Sequence, residues 1–330
     1  MTIVPRWRAL ASKILGVMTT SAQNKIERLI AAGQSLLVDG GLASELEAQG
    51  HNLDTPLWSA KLIEEEPQAI VAAHRAYLDA GADVLITASY QLSALGVGER
   101  LEEQLLQSVA LAERARAEFQ DTASTERFSP LIAASVGPYG AALADGSEYR
   151  GDYAVSNSVL HSFHADRLAI LDASAADILA CETIPSLQEA EVLCELLSAV
   201  TTPAWISFSC KDGHHICDGT PIVECAALFA SHPRVFAVGV NCTAPQFLPS
   251  LIADLRSAAP TKVTLVYPNS GEEFELPTRT WKGTADPLDC GLAAENWRKL
   301  GATWIGGCCR VSPAHIRAIR ATLDRIATSS

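Results

Sequence analysis

The sequence contains few of the residues that mark membrane or nucleic-acid-binding proteins. Basic residues are scarce, 25 against 38 acidic ones, and the resulting net charge of −13 would repel a phosphate backbone. Long apolar runs are missing as well, since the apolar patch at 14–18 is far too short to cross a bilayer. We therefore expect neither nucleic acid nor a membrane as a partner.

A disulfide framework is also absent from the sequence. Nine cysteines are an odd number, and they lack the dense, even spacing of a disulfide scaffold. This predicts a reduced, cytoplasmic protein. Residues 1–34 are predicted to be an N-terminal extension and lead-in, and no pattern in the sequence indicates an oligomeric state.

From residue 35 onward, apolar runs typical of buried strands alternate with amphipathic helical stretches. Strands are predicted at 35–41, 82–90, 131–138, 177–184, 204–210, 235–242, 262–269 and 303–309. Helices are predicted near 67–80, 99–120, 158–174, 186–200, 221–231, 245–258, 287–300 and 313–327. This alternation predicts an α/β protein, a single (β/α)8 TIM barrel over residues 35–327. An open doubly wound sheet is the alternative, but no glycine-rich phosphate-binding turn follows the first strand.

Three cysteines stand where predicted strands end. Cys242 ends strand six, and Cys308 and Cys309 end strand eight, so a barrel would place all three on its catalytic rim. Three thiolates around a tetrahedral Zn²⁺ leave a fourth position open, which is the pattern of catalytic zinc. Gly306 and Gly307 would permit the break that lets adjacent cysteines reach one ion.

The charge of such a site favours a particular reaction. Zn²⁺ with three thiolates carries a net negative charge, which makes it a poor activator of water. A substrate thiol bound in the open position would lose its proton near neutral pH and remain nucleophilic. The cysteine pattern therefore predicts alkyl transfer to sulfur rather than hydrolysis.

Three further residues at strand ends are candidates for substrate binding. Asp39 closes strand one and Glu182 closes strand four, so their carboxylates would hold the ammonium group of an amino-acid substrate. Tyr90 ends strand two and would present its ring or hydroxyl to a cationic donor. Loop bracing is the alternative for the two carboxylates, and core packing is the alternative for the tyrosine.

Other residues near the predicted rim leave alternatives open. Cys210 also stands at a strand end, and His214 and His215 lie in a rim loop where a substrate contact stays open. Lys211 would serve a Schiff-base lyase or aldolase, which is the competing enzyme class. A non-catalytic zinc-binding barrel is the non-enzymatic alternative.

With these residues, the sequence resembles the homocysteine S-methyltransferase family, and most closely its S-methylmethionine-dependent members. The resemblance runs from about residue 36 to residue 323. It is carried by the blocks DGGLASELE (39–47), TASYQ (87–91), SVGPYGAALADGSEYRGDY (135–153), LACETIPS (179–186), DGTP (218–221), GVNC (239–242), VYPNSGE (266–272) and IGGCCR (305–310).

The resemblance implies a (β/α)8 barrel whose zinc is held by Cys242, Cys308 and Cys309. It further implies that Asp39 and Glu182 bind the amino group of L-homocysteine, and that no cobalamin or folate domain is needed. Betaine-using relatives carry an aromatic residue where this chain has Thr183. The methyl donor is therefore expected to be a sulfonium compound, S-methylmethionine or S-adenosylmethionine.

Overall fold

The computed structural model describes residues 25–53, 57–122, 128–275, 280–282 and 285–328. The first part of the predicted extension, up to residue 24, lies outside the described residues. No helix within the described part of the chain is long and apolar enough to span a membrane.

The strands form one parallel barrel, as the sequence predicts. Their bounds are β1 (Leu36–Leu37), β2 (Val84–Ile86), β3 (Leu131–Val136), β4 (Ile178–Ile184), β5 (Ala204–Phe208), β6 (Val235–Asn241), β7 (Val263–Tyr267), β8 (Glu273–Glu275), β9 (Thr280–Lys282) and β10 (Trp304–Ile305). Eight of them pair in the order β1-β10-β7-β6-β5-β4-β3-β2. A parallel bridge from Val38, next to β1, to Val84 of β2 closes the barrel. The remaining two, β8 and β9, form a separate antiparallel hairpin in the loop after β7.

Helices follow the barrel strands and cover the outside of the sheet. Their bounds are α1 (residues 25–31, in its described part), α2 (Leu42–Ala48), α3 (Leu62–Glu65), α4 (Pro67–Ala80), α5 (Ala94–Val97), α6 (Leu101–Gln120), α7 (Tyr139–Leu143), α8 (Asn157–Asp172), α9 (Leu187–Leu197), α10 (Ile222–Phe229), α11 (Leu248–Ala258), α12 (Pro287–Leu300) and α13 (Pro313–Thr328). Proline at the first turn of α4 and α12 supplies the φ angle that a helix needs and removes an N–H that would have no partner.

The predicted ends of the first, second and last barrel strands are wrong. β1 stops at Leu37, β2 at Ile86 and β10 at Ile305, whereas the sequence predicts strands to residues 41, 90 and 309. Beyond β10 the Gly307 N–H donates to the Asp39 carbonyl (3.0 Å) and the Cys308 N–H to the Pro268 carbonyl (2.8 Å), which ties the segment to the rim.

Side chains fill the barrel in layers, which confines any site to its upper end. Trp205 and Trp304 lie near the starts of their strands, with ring centroids 6.2 Å apart, and both are fully buried. Alternation along β4 places Ala180 in the same inner cluster and Cys181 in the outer one, so Glu182 points inward. Polar residues occupy the carboxyl ends of the strands.

The interior tolerates no added volume beside Gly239 in β6. A Cβ at this position would lie 2.1 Å from the Leu265 carbonyl oxygen of β7, its ladder partner. We expect Gly239→Ala to lower the free energy of unfolding by about 3 kcal/mol, because overpacking forces the two strands apart. Chemical denaturation measures the change. Gly96→Ala is the control, because there a Cβ meets only the side-chain end of Leu57 at 3.0 Å; an equal loss in both variants would contradict the clash.

Candidate metal centre and substrate site

Three thiol groups converge at the mouth of the barrel, and we call them the thiol cluster: Cys242, Cys308 and Cys309. The Cys242 Sγ lies 2.6 Å from that of Cys308 and 3.6 Å from that of Cys309, and all three sulfurs lie within 4.8 Å of one another. Tetrahedral ligands at about 2.3 Å from an ion have sulfur atoms about 3.8 Å apart. The cluster therefore fits one thiophilic ion after small side-chain adjustments. Among the residues that the structure describes, no second group of this kind occurs.

The backbone after β10 explains how two adjacent cysteines reach the same point. The strand has ended three residues before Cys308, so strict alternation of side chains no longer applies. The Ser270 N–H donates to the Cys309 carbonyl (3.1 Å), which ties this segment to the loop after β7. Gly41 lets the segment approach β1, since a Cβ there would lie 2.6 Å from the Cys308 carbonyl oxygen.

Asp39 lies at the barrel mouth, two residues after β1 ends, and is buried. Its Oδ2 accepts a hydrogen bond from the Ile86 N–H (2.9 Å), whereas Oδ1 is buried without a partner. Burial, reinforced by the charge of Glu182, raises the pKa of Asp39 well above its usual range. A buried carboxylate oxygen with no partner is costly, so a group from the substrate is the natural partner.

Glu182 is held in the mouth by two hydroxyl groups from neighbouring strands. Ser135 Oγ donates to its Oε1, and Tyr267 OH donates to its Oε2 (3.1 Å). Burial raises the pKa of Glu182 to about 7, and the charge of Cys242 adds to this effect. The carboxylate is thus fixed in position while it faces the thiol cluster.

Tyr90 reaches the same mouth from the loop after β2. Its ring packs against Gly137, where a Cβ would lie 2.7 Å from the Tyr90 Cδ2 atom. Burial raises the pKa of Tyr90 well above its usual range, and the charges of Glu148 and Cys242 add to this. Tyr90 is therefore neutral, and it lies near Cys242 and Tyr149.

Two neighbouring residues of the mouth, Glu148 and Tyr149, are not predicted from the sequence. They belong to a 3₁₀ turn, Ser147–Tyr149, in the loop after β3, and the Tyr149 hydroxyl lies 3.8 Å from Cys242 Sγ. The sequence does indicate that this loop is a place for functional residues, because the loop is long and emerges on the catalytic face. Sequence separation alone did not reveal that the turn folds back over β6.

Asn241 joins the ends of β4 and β6. Its Oδ1 accepts from the Thr183 N–H (2.8 Å) and from Ser207 Oγ (2.9 Å), and its Nδ2 donates to Thr183 Oγ1 (2.7 Å). Thr183 and Cys242 both have positive φ angles, 61° and 47°. Such conformations cost about 1–3 kcal/mol each. The amide thus holds a strained backbone beside Glu182 and the thiol cluster.

We expect Asn241→Ala to lower both stability and metal affinity. The unfolding free energy should fall by about 2–3 kcal/mol, because buried groups of Thr183 lose their partners. Metal affinity should fall because the φ of Cys242 is no longer supported, and competition with a chelator measures it. Ser207→Ala is the control, since it removes hydrogen bonds to Asn241 and Tyr267 but leaves Thr183 held. Equal metal affinity in the two variants would contradict this role.

Four residues left open by the sequence lie apart from the thiol cluster. The backbone N–H of Cys210 donates to Thr243 Oγ1 (2.9 Å), and His214 and His215 pair with the carboxylates of Asp254 (2.7 Å) and Asp212 (3.0 Å). Lys211 is exposed in a hairpin, where its N–H donates to the His215 carbonyl (3.1 Å). A Schiff-base lysine needs a buried or electropositive setting to lose its proton.

Comparison with known proteins agrees with this arrangement. The family model for homocysteine S-methyltransferase matches residues 36–323, which is most of the chain. The chain belongs to the homocysteine S-methyltransferase family. The resemblance that the sequence blocks indicated is thereby confirmed, and so is the barrel fold.

Individual members of the family are similar over nearly their full lengths. Homocysteine S-methyltransferase YbgG of Bacillus subtilis (strain 168) is 46% identical over 315 residues, which cover 93% of this chain and 100% of that protein. Selenocysteine Se-methyltransferase of Brassica oleracea var. italica is 40% identical, with 90% and 91% covered. The metallated form of homocysteine methyltransferase MmuM from Escherichia coli superposes with a TM-score of 0.78 at 40% identity, covering 89% of this chain and 98% of that one.

Proposed function

We propose that this methyltransferase carries a methyl group from a sulfonium donor, S-methylmethionine or S-adenosylmethionine, to the thiol of L-homocysteine, with Zn²⁺ held by Cys242, Cys308 and Cys309. The observation that carries the proposal is the thiol cluster at the barrel mouth. Three cysteine ligands leave one position for a substrate, and soft sulfur donors select Zn²⁺ over Mg²⁺ or Ca²⁺. We assign this activity to the barrel of residues 35–327.

The chain's own residues would hold homocysteine by its amino group. The Asp39 Oδ1 atom, buried and unpartnered, and the fixed carboxylate of Glu182 form the acceptor for that ammonium. Both carboxylates are inside a low-dielectric mouth, where charge-assisted hydrogen bonds are strong. This contact sets the position of the thiol relative to the thiol cluster, and positioning is a large part of catalysis in bimolecular transfer.

The reaction itself is a substitution at carbon. Bound Zn²⁺ would supply one effect, which is to keep the homocysteine thiol ionised near neutral pH. A bond forms from that sulfur to the methyl carbon, the bond from the methyl to the donor sulfonium breaks, and its electron pair stays on the donor sulfur. Because the donor loses its positive charge, a dry and weakly polar surrounding favours the transition state. Tyr90 would form part of that surrounding, with Tyr149, 45% exposed, at its outer edge. Thr183 stands where betaine-using relatives carry an aromatic residue, which favours a sulfonium donor.

The test measures zinc content and methionine formation with each donor in turn. We expect bound zinc and turnover of homocysteine with S-methylmethionine, S-adenosylmethionine or both. Zinc without methionine from either donor would overturn the substrate assignment. Trapping of a substrate on Lys211 by borohydride, in protein free of metal, would support the Schiff-base alternative instead. Selenocysteine is a useful further acceptor, since a relative is named for its methylation.

A further inference from the structure

Two carboxylate oxygens at the barrel mouth are buried without a partner in the described part of the chain. One is Asp39 Oδ1, which the proposed function pairs with the ammonium of homocysteine, and the other is Glu148 Oε2. A buried carboxylate oxygen without a donor loses its hydration and gains nothing in return. The second oxygen is therefore available to a cation or an N–H group of a bound ligand.

Glu148 is held firmly above the thiol cluster. Its carbonyl accepts from Ser209 Oγ at the end of β5 (3.1 Å). Gly140 in α7 packs under the turn so closely that a Cβ there would lie 2.5 Å from the Glu148 nitrogen. The next residue, Tyr149, places its hydroxyl 3.8 Å from Cys242 Sγ. The backbone that carries the Glu148 carboxylate is therefore held in place by its neighbours.

Arg150, the basic side chain of this loop, lowers the pKa of Glu148 by less than burial raises it. Arg150 pairs with Asp152 (3.2 Å) and Asp145 (3.7 Å) on the outside of the loop. Burial, with a smaller contribution from the charge of Cys242, raises the pKa of Glu148 to about 7. An ammonium group beside Oε2 would lower that pKa again and stabilise the ionised carboxylate.

The carboxylates of the mouth lie on different elements, and we assign them to different substrates on this ground. Asp39 and Glu182 approach the thiol cluster from β1 and β4, whereas Glu148 lies on the loop after β3, next to Tyr149, whose hydroxyl is 3.8 Å from Cys242 Sγ. Both proposed substrates are amino acids, so each brings one ammonium group to the mouth. A carboxylate at the sulfonium itself would slow the reaction, because that charge disappears in the transition state. At the ammonium, the charge is the same before and after transfer.

We propose that the Glu148 carboxylate binds the α-ammonium group of the methyl donor and so makes the enzyme specific for sulfonium donors of the amino-acid class. This assignment rests on the proposed function. Because the ammonium does not change during the reaction, the contact stabilises ground state and transition state equally. Its loss should therefore raise the KM for the donor and leave kcat unchanged.

The experiment compares S-methylmethionine with 4-(dimethylsulfonio)butanoate, which has the same chain without the ammonium, on the zinc-loaded enzyme. We expect Glu148→Gln to raise the KM for S-methylmethionine by about 10- to 100-fold. The kcat, the KM for homocysteine and the KM for the desamino donor should stay within about twofold, as uniform binding requires. Asp152→Asn is the matched control, because it removes a charge from the same loop on its exposed side.

The outcomes separate this inference from the proposed function. An equal rise in KM for both donors, a fall in kcat alone, or a rise in the KM for homocysteine would overturn the role of Glu148 while methyl transfer stands. Wild-type enzyme that makes no methionine from any amino-acid sulfonium donor would overturn both. Glu148→Asp, which keeps the charge, should recover part of the loss, and thermal unfolding of each variant confirms that it is folded.

Discussion

Replacing Cys308 with alanine should remove bound zinc and methionine formation together. The thiol cluster has three members, and its sulfurs lie within 4.8 Å of one another. In the described part of the chain, no fourth cysteine belongs to this group and could replace Cys308 as a ligand. Loss of a residue that only supports a ligand already costs about 10- to 100-fold in affinity or activity. Loss of a ligand should exceed the upper end of that range. Metal analysis of the purified protein and a methionine assay measure both quantities.

The control for this variant is Cys290→Ala. Cys290 lies on α12, partly buried on the outside of the barrel, and its replacement removes a thiol of the same kind. We expect wild-type zinc content and turnover there. If Cys308→Ala keeps its zinc, the cluster is not the metal site; if wild-type enzyme turns over without zinc, the proposed chemistry is wrong.

Replacing Asp39 with asparagine should raise the KM for homocysteine by about a hundredfold, as expected when one partner of a buried charge pair is removed. The amide can keep the hydrogen bond from the Ile86 N–H, so the loop after β2 stays in place. Its NH₂ group then meets the ammonium of the substrate, and two donors face each other. The KM for 4-sulfanylbutanoate, which has no amino group, should change far less.

The same substitution should increase stability. Because the folded-state pKa of Asp39 is raised, its ionisation lowers the stability of the fold once the pH exceeds the unfolded-state value of about 4. The neutral amide of the Asp39→Asn variant carries no such cost, so the variant should unfold at a higher temperature than wild type at pH 7. The gain should vanish toward pH 4, where wild-type Asp39 is protonated in the folded state and increasingly so in the unfolded state.

Asp83→Asn is the control for both measurements. Asp83 accepts hydrogen bonds from the Leu37 N–H (2.9 Å) and from Arg320, below the mouth at the start of β2. We expect lower stability and an unchanged KM for homocysteine in that variant. A KM that rises equally in the two variants would mean that Asp39 acts through the fold and not through contact with the amino group.

The positions of several helices of the barrel can be predicted from local sequence patterns. The helices α4 (Pro67–Ala80) and α12 (Pro287–Leu300) begin and end where the sequence predicts. Each starts with proline and ends before a glycine of positive φ, Gly81 and Gly301. Helix ends depend on signals within a few residues, and so a single sequence contains them.

The ends of strands and the partners of buried polar groups depend on residues far away in the chain. β10 stops at Ile305, and further along Cys308 and Cys309 bond to Pro268 and Ser270 in the loop after β7, which no local pattern reveals. The bonds from Ser135 and Tyr267 to Glu182 span 47 and 85 residues. Only the folded chain shows that these groups meet.

The sequence by itself determined the alternation of strands and helices, the residues at the strand ends and hence the three thiols and two carboxylates brought to one rim. Only the tertiary structure decided which polar atoms at that rim have partners and which, like Asp39 Oδ1 and Glu148 Oε2, are buried without one. The reason is physical: residue types and spacing fix the local backbone, whereas desolvation and hydrogen bonding depend on what distant strands and loops place around each atom.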